Sequence, residues 1–131
     1  MKHFAYLIEA VGEGREDLTT LCYTTSRDEA QEAVDLIERL NATTTAVISS
    51  YWSMDAPVTG YDNGVGDNFI VLVSEVDDSG EAMRRHIFNT REEADDIIKD
   101  IDSRGRYAVV DYIKKFNPDD NWKAGKYSNW I

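Results

Sequence analysis

Residues 25–40 read TSRDEAQEAVDLIERL, and residues 89–105 read NTREEADDIIKDIDSRG. In the first stretch Ala30, Ala33, Val34, Ile37 and Leu40 recur every three or four positions, and in the second Ala94, Ile97, Ile98 and Ile101 do the same. That spacing gathers them on one face of an α-helix, so each stretch predicts a helix that buries this face against a sheet. Both helices open with the same signal. Ser26-x-x-Glu29 and Thr90-x-x-Glu93 have the capping-box form, in which a hydroxyl and a carboxylate satisfy backbone N–H groups that a first turn leaves without partners. Both end at a residue that tolerates a left-handed conformation, Asn41 in the first and Gly105 in the second.

The likeness continues outward from the helices. FAYLIEAV (4–11) precedes the first and FIVLVSEV (69–76) the second, while TAVISSYW (45–52) and YAVVDYIKKF (107–116) follow them. In alignment Phe4 falls on Phe69, Leu7 on Leu72, Val11 on Val76, Arg27 on Arg91, Ala30 on Ala94 and Ile37 on Ile101. Shared order and spacing of every element argue for an internal duplication, with repeat one at 4–52 and repeat two at 69–116.

Each repeat reads as strand, strand, helix, strand. Both registers of Phe4–Val11 are largely apolar, which marks a strand that is central in its sheet. GEGRED (12–17) and DDSGE (77–81) supply the Gly and Asp of hairpin turns leading into second strands. A strand–helix–strand crossover is right-handed, which places the first strand between the second and third and antiparallel to both. The expected fold class is α+β, built of two tandem ββαβ repeats. They should form a mostly antiparallel sheet of about six strands with two helices packed on it and a pseudo-twofold relation, in a single domain spanning 1–131.

Two segments lie outside the repeats. SMDAPVTGYDNGVGDN (53–68) holds three glycines, one proline, three acids and no base, and reads as a linker loop that is either mobile or functional. The tail, 117–131, carries Trp122, Tyr127 and Trp130. Such rings are not left loose in water, so the tail is expected to dock, either on its own sheet or as an interface with another chain.

Composition bounds the roles. A chain of 131 residues with 42% hydrophobic content buries a core without staples. Fourteen bases against 25 acids give a net charge of -11, which disfavours direct contact with nucleic acid and favours a partner with a basic surface. Cys22 is the only cysteine, so no internal disulfide forms. The apolar run at the N-terminus is too short for a secretion signal or a membrane span. The expectation is a soluble cytoplasmic protein without membrane contact, in host cytoplasm if its source is viral.

Chemistry-bearing motifs are sparse. His3 and His86 are far apart, and no Cys and His stand at zinc-ligand spacing. Cys22 aligns with Ile87, an apolar repeat position, and reads as core. YDNGVGDNF (61–69) is rich in oxygen ligands but lacks the calcium-loop pattern ending in Glu, and a hairpin on Asn63-Gly64 explains it as well. GEG at 12–14 is not followed by the Lys and Ser/Thr of a phosphate loop. No metal, no cofactor and no enzymatic activity are expected.

The charge pattern is what remains. Asp28, Glu32 and Asp35 form a stripe opposite Ile37, with Glu92 and Asp96 on the matching stripe of the second helix; Arg39 and Lys99 interrupt them. Such carboxylate tracks can imitate a run of phosphates. By segment, 1–52 holds nine acids and four bases and 53–68 three acids and none, so the first repeat and the loop form the acidic end. The candidate partner-binding residues are therefore Asp28, Glu32, Asp35, Trp52, Asp55, Tyr61, Asp62 and Asp67, with Trp122, Tyr127 and Trp130 as a tail interface. The function that fits is a small acidic protein-binding module, an inhibitor or antagonist covering the basic, nucleic-acid-binding type of surface on a larger protein, as antagonists from viruses and mobile elements do. The alternatives are a ligand-binding or weakly enzymatic module with a pocket between the repeats, using Tyr6, His86, Asp111 and Tyr112, and a structural subunit or homodimer assembling through sheet edges or the tail.

Overall fold

The computed structural model of the chain describes residues 3–11, 19–41, 44–54, 56–62, 68–120 and 122, and, within these, leaves the side chains of 50–54, 62 and 82 undescribed. Its elements follow the order β1 (His3–Val11), β2 (Thr19–Thr24), α1 (Arg27–Leu40), β3 (Thr45–Met54), β4 (Tyr61–Asp62), β5 (Asn68–Val76), β6 (Ala82–Phe88), α2 (Arg91–Ser103) and β7 (Tyr107–Lys114). The fold is α+β, with the ββαβ order present in each repeat. The chain divides into two compact units, one of Met1–Val58 with Lys114–Ile131 and one of Thr59–Ile113.

In the first unit the sheet order is β2-β1-β3, with β1 antiparallel to both neighbours. The central position follows from the two apolar registers of β1, of which Ala5, Leu7, Ile8, Glu9 and Ala10 are buried. Ala30, Ala33, Val34 and Ile37 of α1 close over Ile8, Ala10, Leu21, Cys22 and Ala46 to make the core. Phe116 and Trp122 from the C-terminal segment belong to the same core.

In the second unit β5 pairs β6 antiparallel on one side, and β4 and β7 also pair β5. Val71 and Val73 of β5 pack with Ala94 and Ile101 of α2. The β5–β6 turn is built on Asp77, whose carboxylate accepts from the Ser79 and Glu81 N–H groups and from the Ser79 hydroxyl, at 2.6–3.0 Å. Gly80 sits there at φ +86, a conformation that side chains rarely adopt. Among the described residues of this unit Glu75 is the buried charge, 2% exposed, and Arg104 Nη1 donates to its Oε1 at 2.6 Å.

The helix starts follow the sequence reading in their first half. Ser26 Oγ accepts from the Glu29 N–H at 3.1 Å, and Thr90 Oγ1 from the Glu93 N–H at 3.2 Å. The carboxylates return elsewhere than a capping box implies: Glu29 accepts from the Ser26 hydroxyl, and Glu93 from the Asn89 N–H, one residue ahead of the cap. Gly105 ends α2 at φ +74, with its own N–H on Asp102 O and the Arg106 N–H on Ile101 O, the paired bonds of a Schellman stop. Asn41 departs from the left-handed stop expected of it. It lies at φ -136 and ends α1 through its side chain instead, by donating to the Ile37 carbonyl at 2.8 Å.

Two further boundaries differ from the reading of the sequence. The segment that reads as a linker loop contains β4, which pairs Tyr61 with Phe69 and Asp62 with Asn68, and Asn89 Oδ1 pins it by accepting from the Thr59 and Gly60 N–H groups, each at 3.0 Å. Position 89 follows the last residue of β6, so its side chain can reach sideways past the strand end. The last strand does not run to Phe116. It stops at Lys114, after which Lys115 pairs Tyr23 in parallel and the Phe116 N–H donates to the Tyr23 carbonyl at 2.8 Å. The choice between the two ways for the tail to dock is resolved for Trp122, which is fully buried within its own unit. Asn63-Gly64, Tyr127, Trp130 and the turn at 12–17 lie outside the described residues.

Candidate functional site

The helix α1 separates its side chains by their angle around the axis. Its buried face is Ala30, Ala33, Val34 and Ile37, and the opposite side presents Asp28, Gln31, Glu32, Asp35 and Arg39 to solvent. These five, with half-buried Leu36 and with Pro118 from the C-terminal segment, line an open groove of about 650 Å³. Three of the eight residues expected from the sequence as partner contacts, Asp28, Glu32 and Asp35, are thus brought together on one surface.

Three other described acids of this unit are used internally. Glu9 accepts from the Thr20 hydroxyl at 3.1 Å, Glu29 serves the helix start, and Glu38 Oε2 accepts from the Ala46 N–H at 3.1 Å. Asp35 takes one bond from Gln31 Nε2 at 3.0 Å, along the helix. Among the described residues, Asp28 and Glu32 thus line the groove without an internal partner and Asp35 with the one bond along the helix, with Arg39 as the cation among them. Arg39 also stands in the last turn, where a cation favours the helix.

Pro118 is held in place by a dense set of bonds. Trp122 Nε1 donates to the Asn117 carbonyl at 2.8 Å, the Asp120 N–H donates to the same carbonyl at 3.1 Å, and Asn117 Oδ1 accepts from the Asp119 N–H at 2.9 Å. Lys114 and Asp120 form an ion pair at 2.6 Å, and Trp122 packs on Phe116 with ring centroids 5.6 Å apart. Asn41 completes the set by donating to the Trp122 carbonyl at 2.7 Å. Burial in this core pushes the Cys22 thiol far up, with the Asp120 charge adding to the effect, and pushes the Tyr23 hydroxyl up to about 12.

The remaining candidates are distributed otherwise. Tyr61 belongs to the second unit, half-buried between Phe69 at 5.9 Å and Tyr112 at 6.3 Å, where it acts in packing. The Trp52 backbone lies in β3 opposite Ala5, and that of Asp62 in β4 opposite Asn68. Asp55 and Asp67 lie outside the described residues. Of the polar residues of the alternative reading, Tyr6 packs beside Phe4, His86 stacks on Phe88, and the Tyr112 hydroxyl accepts from Arg91 at 3.5 Å. Asp111 is exposed on β7. Among the described residues no three of His, Cys, Asp and Glu converge as a metal would require, and no helix is long and apolar enough to cross a membrane.

Of the groove lining, the sequence reading names Asp28, Glu32, Asp35 and Arg39 and misses Gln31, Leu36 and Pro118. Gln31 and Leu36 flank the acidic stripe and are readable from the same periodicity, whereas Pro118 is brought in by tertiary packing alone. The charge bookkeeping also changes. Met1–Val58 with Lys114–Ile131 holds twelve acids and eight bases, and Thr59–Ile113 holds thirteen and six, so the unit bearing the groove is not the more acidic one. The distinction of the groove is local arrangement, not net charge. Compared with known protein families, with curated proteins and with solved structures, the chain matches none.

Proposed function

We propose that this chain is a small acidic protein-binding module whose α1 groove covers a basic, nucleic-acid-binding type of surface on a larger protein, and so acts as an inhibitor or antagonist of that partner. The observation that carries this reading is the convergence of exposed Asp28, Glu32 and Asp35 on one groove with the apolar edges of Leu36 and Pro118. Guanidinium and ammonium groups suit such a lining, since their heads meet carboxylates while their alkyl stems lie along apolar surface. Charges of this kind steer encounter and set orientation more than they add raw affinity.

The test is titration of an arginine-rich peptide into the isotopically labelled chain. Chemical-shift changes should centre on residues 28–39, and reversal of Asp28, Glu32 and Asp35 to Lys together should abolish them while leaving the spectrum folded. Binding should weaken with salt, because the screening length falls from about 10 Å at 0.1 M to about 3 Å at 1 M. Shifts centred on α2, or an affinity indifferent to the triple reversal, would overturn the proposal.

A further inference from the structure

From the bonds that fix Pro118 we infer that residues 115–120 with Trp122 form a strap that builds one wall of the acidic groove, so that docking of Trp122 and occupancy of the groove are linked. The inference rests on the reading of the groove as a site for a cationic segment, and it adds what regulates that site.

One wall is α1 itself, rigid because Ala30, Ala33, Val34 and Ile37 are buried. The other wall is Pro118, on a turn with no strand or helix of its own. Among the described residues, that turn is held by the Trp122 indole and the Asp120 N–H on Asn117 O, the Asp119 N–H on Asn117 Oδ1, the Lys114–Asp120 pair and the anchoring of Trp122 in the core. Asn41 joins the two walls directly, because one side-chain amide bridges Ile37 O of the helix and Trp122 O of the strap, at 2.8 and 2.7 Å. A strap that releases Trp122 removes the Pro118 wall and leaves the carboxylates on an open helix face. A ligand that touches both walls binds the docked form better, and by linkage must stabilise docking by the factor through which docking improves its affinity. Asn41 and Lys114 are positioning residues in this scheme, since neither lines the groove.

The experiment uses the full chain and an arginine-rich peptide, with two readouts. The first is solvent exchange of the Trp122 indole N–H, which should slow about fivefold or more at peptide saturation. The second is peptide affinity of Asn41→Ala and Lys114→Met. Lys114→Met makes the protein more acidic, so charge alone would tighten the peptide, whereas loss of the Lys114–Asp120 anchor should weaken it about fivefold or more. Asn41→Ala should weaken it as well, without change of charge. If the peptide binds at 28–39 while indole exchange is unaffected and Lys114→Met binds as tightly as the parent or tighter, the strap is refuted and the groove reading stands. If the peptide does not bind the parent chain at all, both fall together.

Discussion

Asn41 and Trp122 are 81 positions apart in sequence and meet at 2.7 Å, the side-chain amide of the first on the backbone carbonyl of the second. Through this contact the end of the first helix and the C-terminal segment are fixed to one another, which is why Trp122 is a core residue and not an exposed tail aromatic. Removing the indole should cost about 3–5 kcal/mol in urea unfolding, the range for a large buried ring. Asn41→Ala should cost about 1 kcal/mol or somewhat more, since two carbonyl partners lose one donor group. A loss below about 1 kcal/mol for Trp122→Ala would contradict its burial.

The two helix faces should respond oppositely to truncation. Ile37 and Ile101 are each fully buried at the centre of an apolar face, so Ile37→Ala and Ile101→Ala should each lose about 2–5 kcal/mol. Glu32 and Asp96 are exposed, and their replacement by Ala should change stability by less than about 0.5 kcal/mol. Chemical denaturation of the four variants decides it, and equal losses throughout would mean the faces are reversed.

These faces are legible in the sequence because helical periodicity is a local property, and the same holds for Ser26 and Thr90 as helix starts and for Gly105 as a stop. The features that are not legible depend on residues distant in sequence. Asn41 reads as a backbone stop because its type allows one, yet its amide finds carbonyls at Ile37 and Trp122 and ends the helix without a left-handed residue. Pro118 enters the groove only because Trp122 finds the α1 core, and no periodicity announces that. Residues 59–62 look featureless because the group that orders them, Asn89, lies 30 and 29 positions from the Thr59 and Gly60 amides it accepts from.

The Asp77 turn should carry a pH signature. Hydrogen bonding from the Ser79 hydroxyl, and then from the Glu81 N–H, holds the Asp77 carboxyl below the usual carboxylate range. A depressed folded-state value means that its contribution to stability is present above the unfolded-state titration, near about 3.9, and is lost as pH falls through the lower folded value. Ser79→Ala should move the Asp77 titration upward in an NMR pH series. No movement would show that the hydroxyl is not the main cause.

Glu75 offers a test of how a buried charge is held. Its carboxylate is 2% exposed, bonded to Arg104 at 2.6 Å and more distantly to Arg106 at 3.7 Å. Arg104→Ala should destabilise the chain, though by less than breaking a pair buried on both sides, because the arginine itself is 41% exposed. The double variant Glu75→Leu with Arg104→Ala should be more stable than Arg104→Ala alone, because it removes the stranded carboxylate as well. A double variant less stable than the single would show that Glu75 contributes through some interaction other than its pairing with Arg104.

Cys22 reports on the integrity of the first unit. The thiolate is the reactive form of a cysteine, and this thiol is fully buried in the core that holds Trp122, with its ionisation pushed far up by that burial. Two barriers therefore protect it, access and proton loss, and both vanish only when the core opens. Labelling by a disulfide reagent at pH 8 should be slow in the native protein and should rise with urea along the same curve as unfolding followed by fluorescence. In Trp122→Ala the labelling should accelerate in water roughly in proportion to the lost stability, about tenfold for each 1.4 kcal/mol when opening is fast relative to reaction. Native labelling at the rate of a free thiol would place Cys22 outside the core and undo the packing of the strap against it.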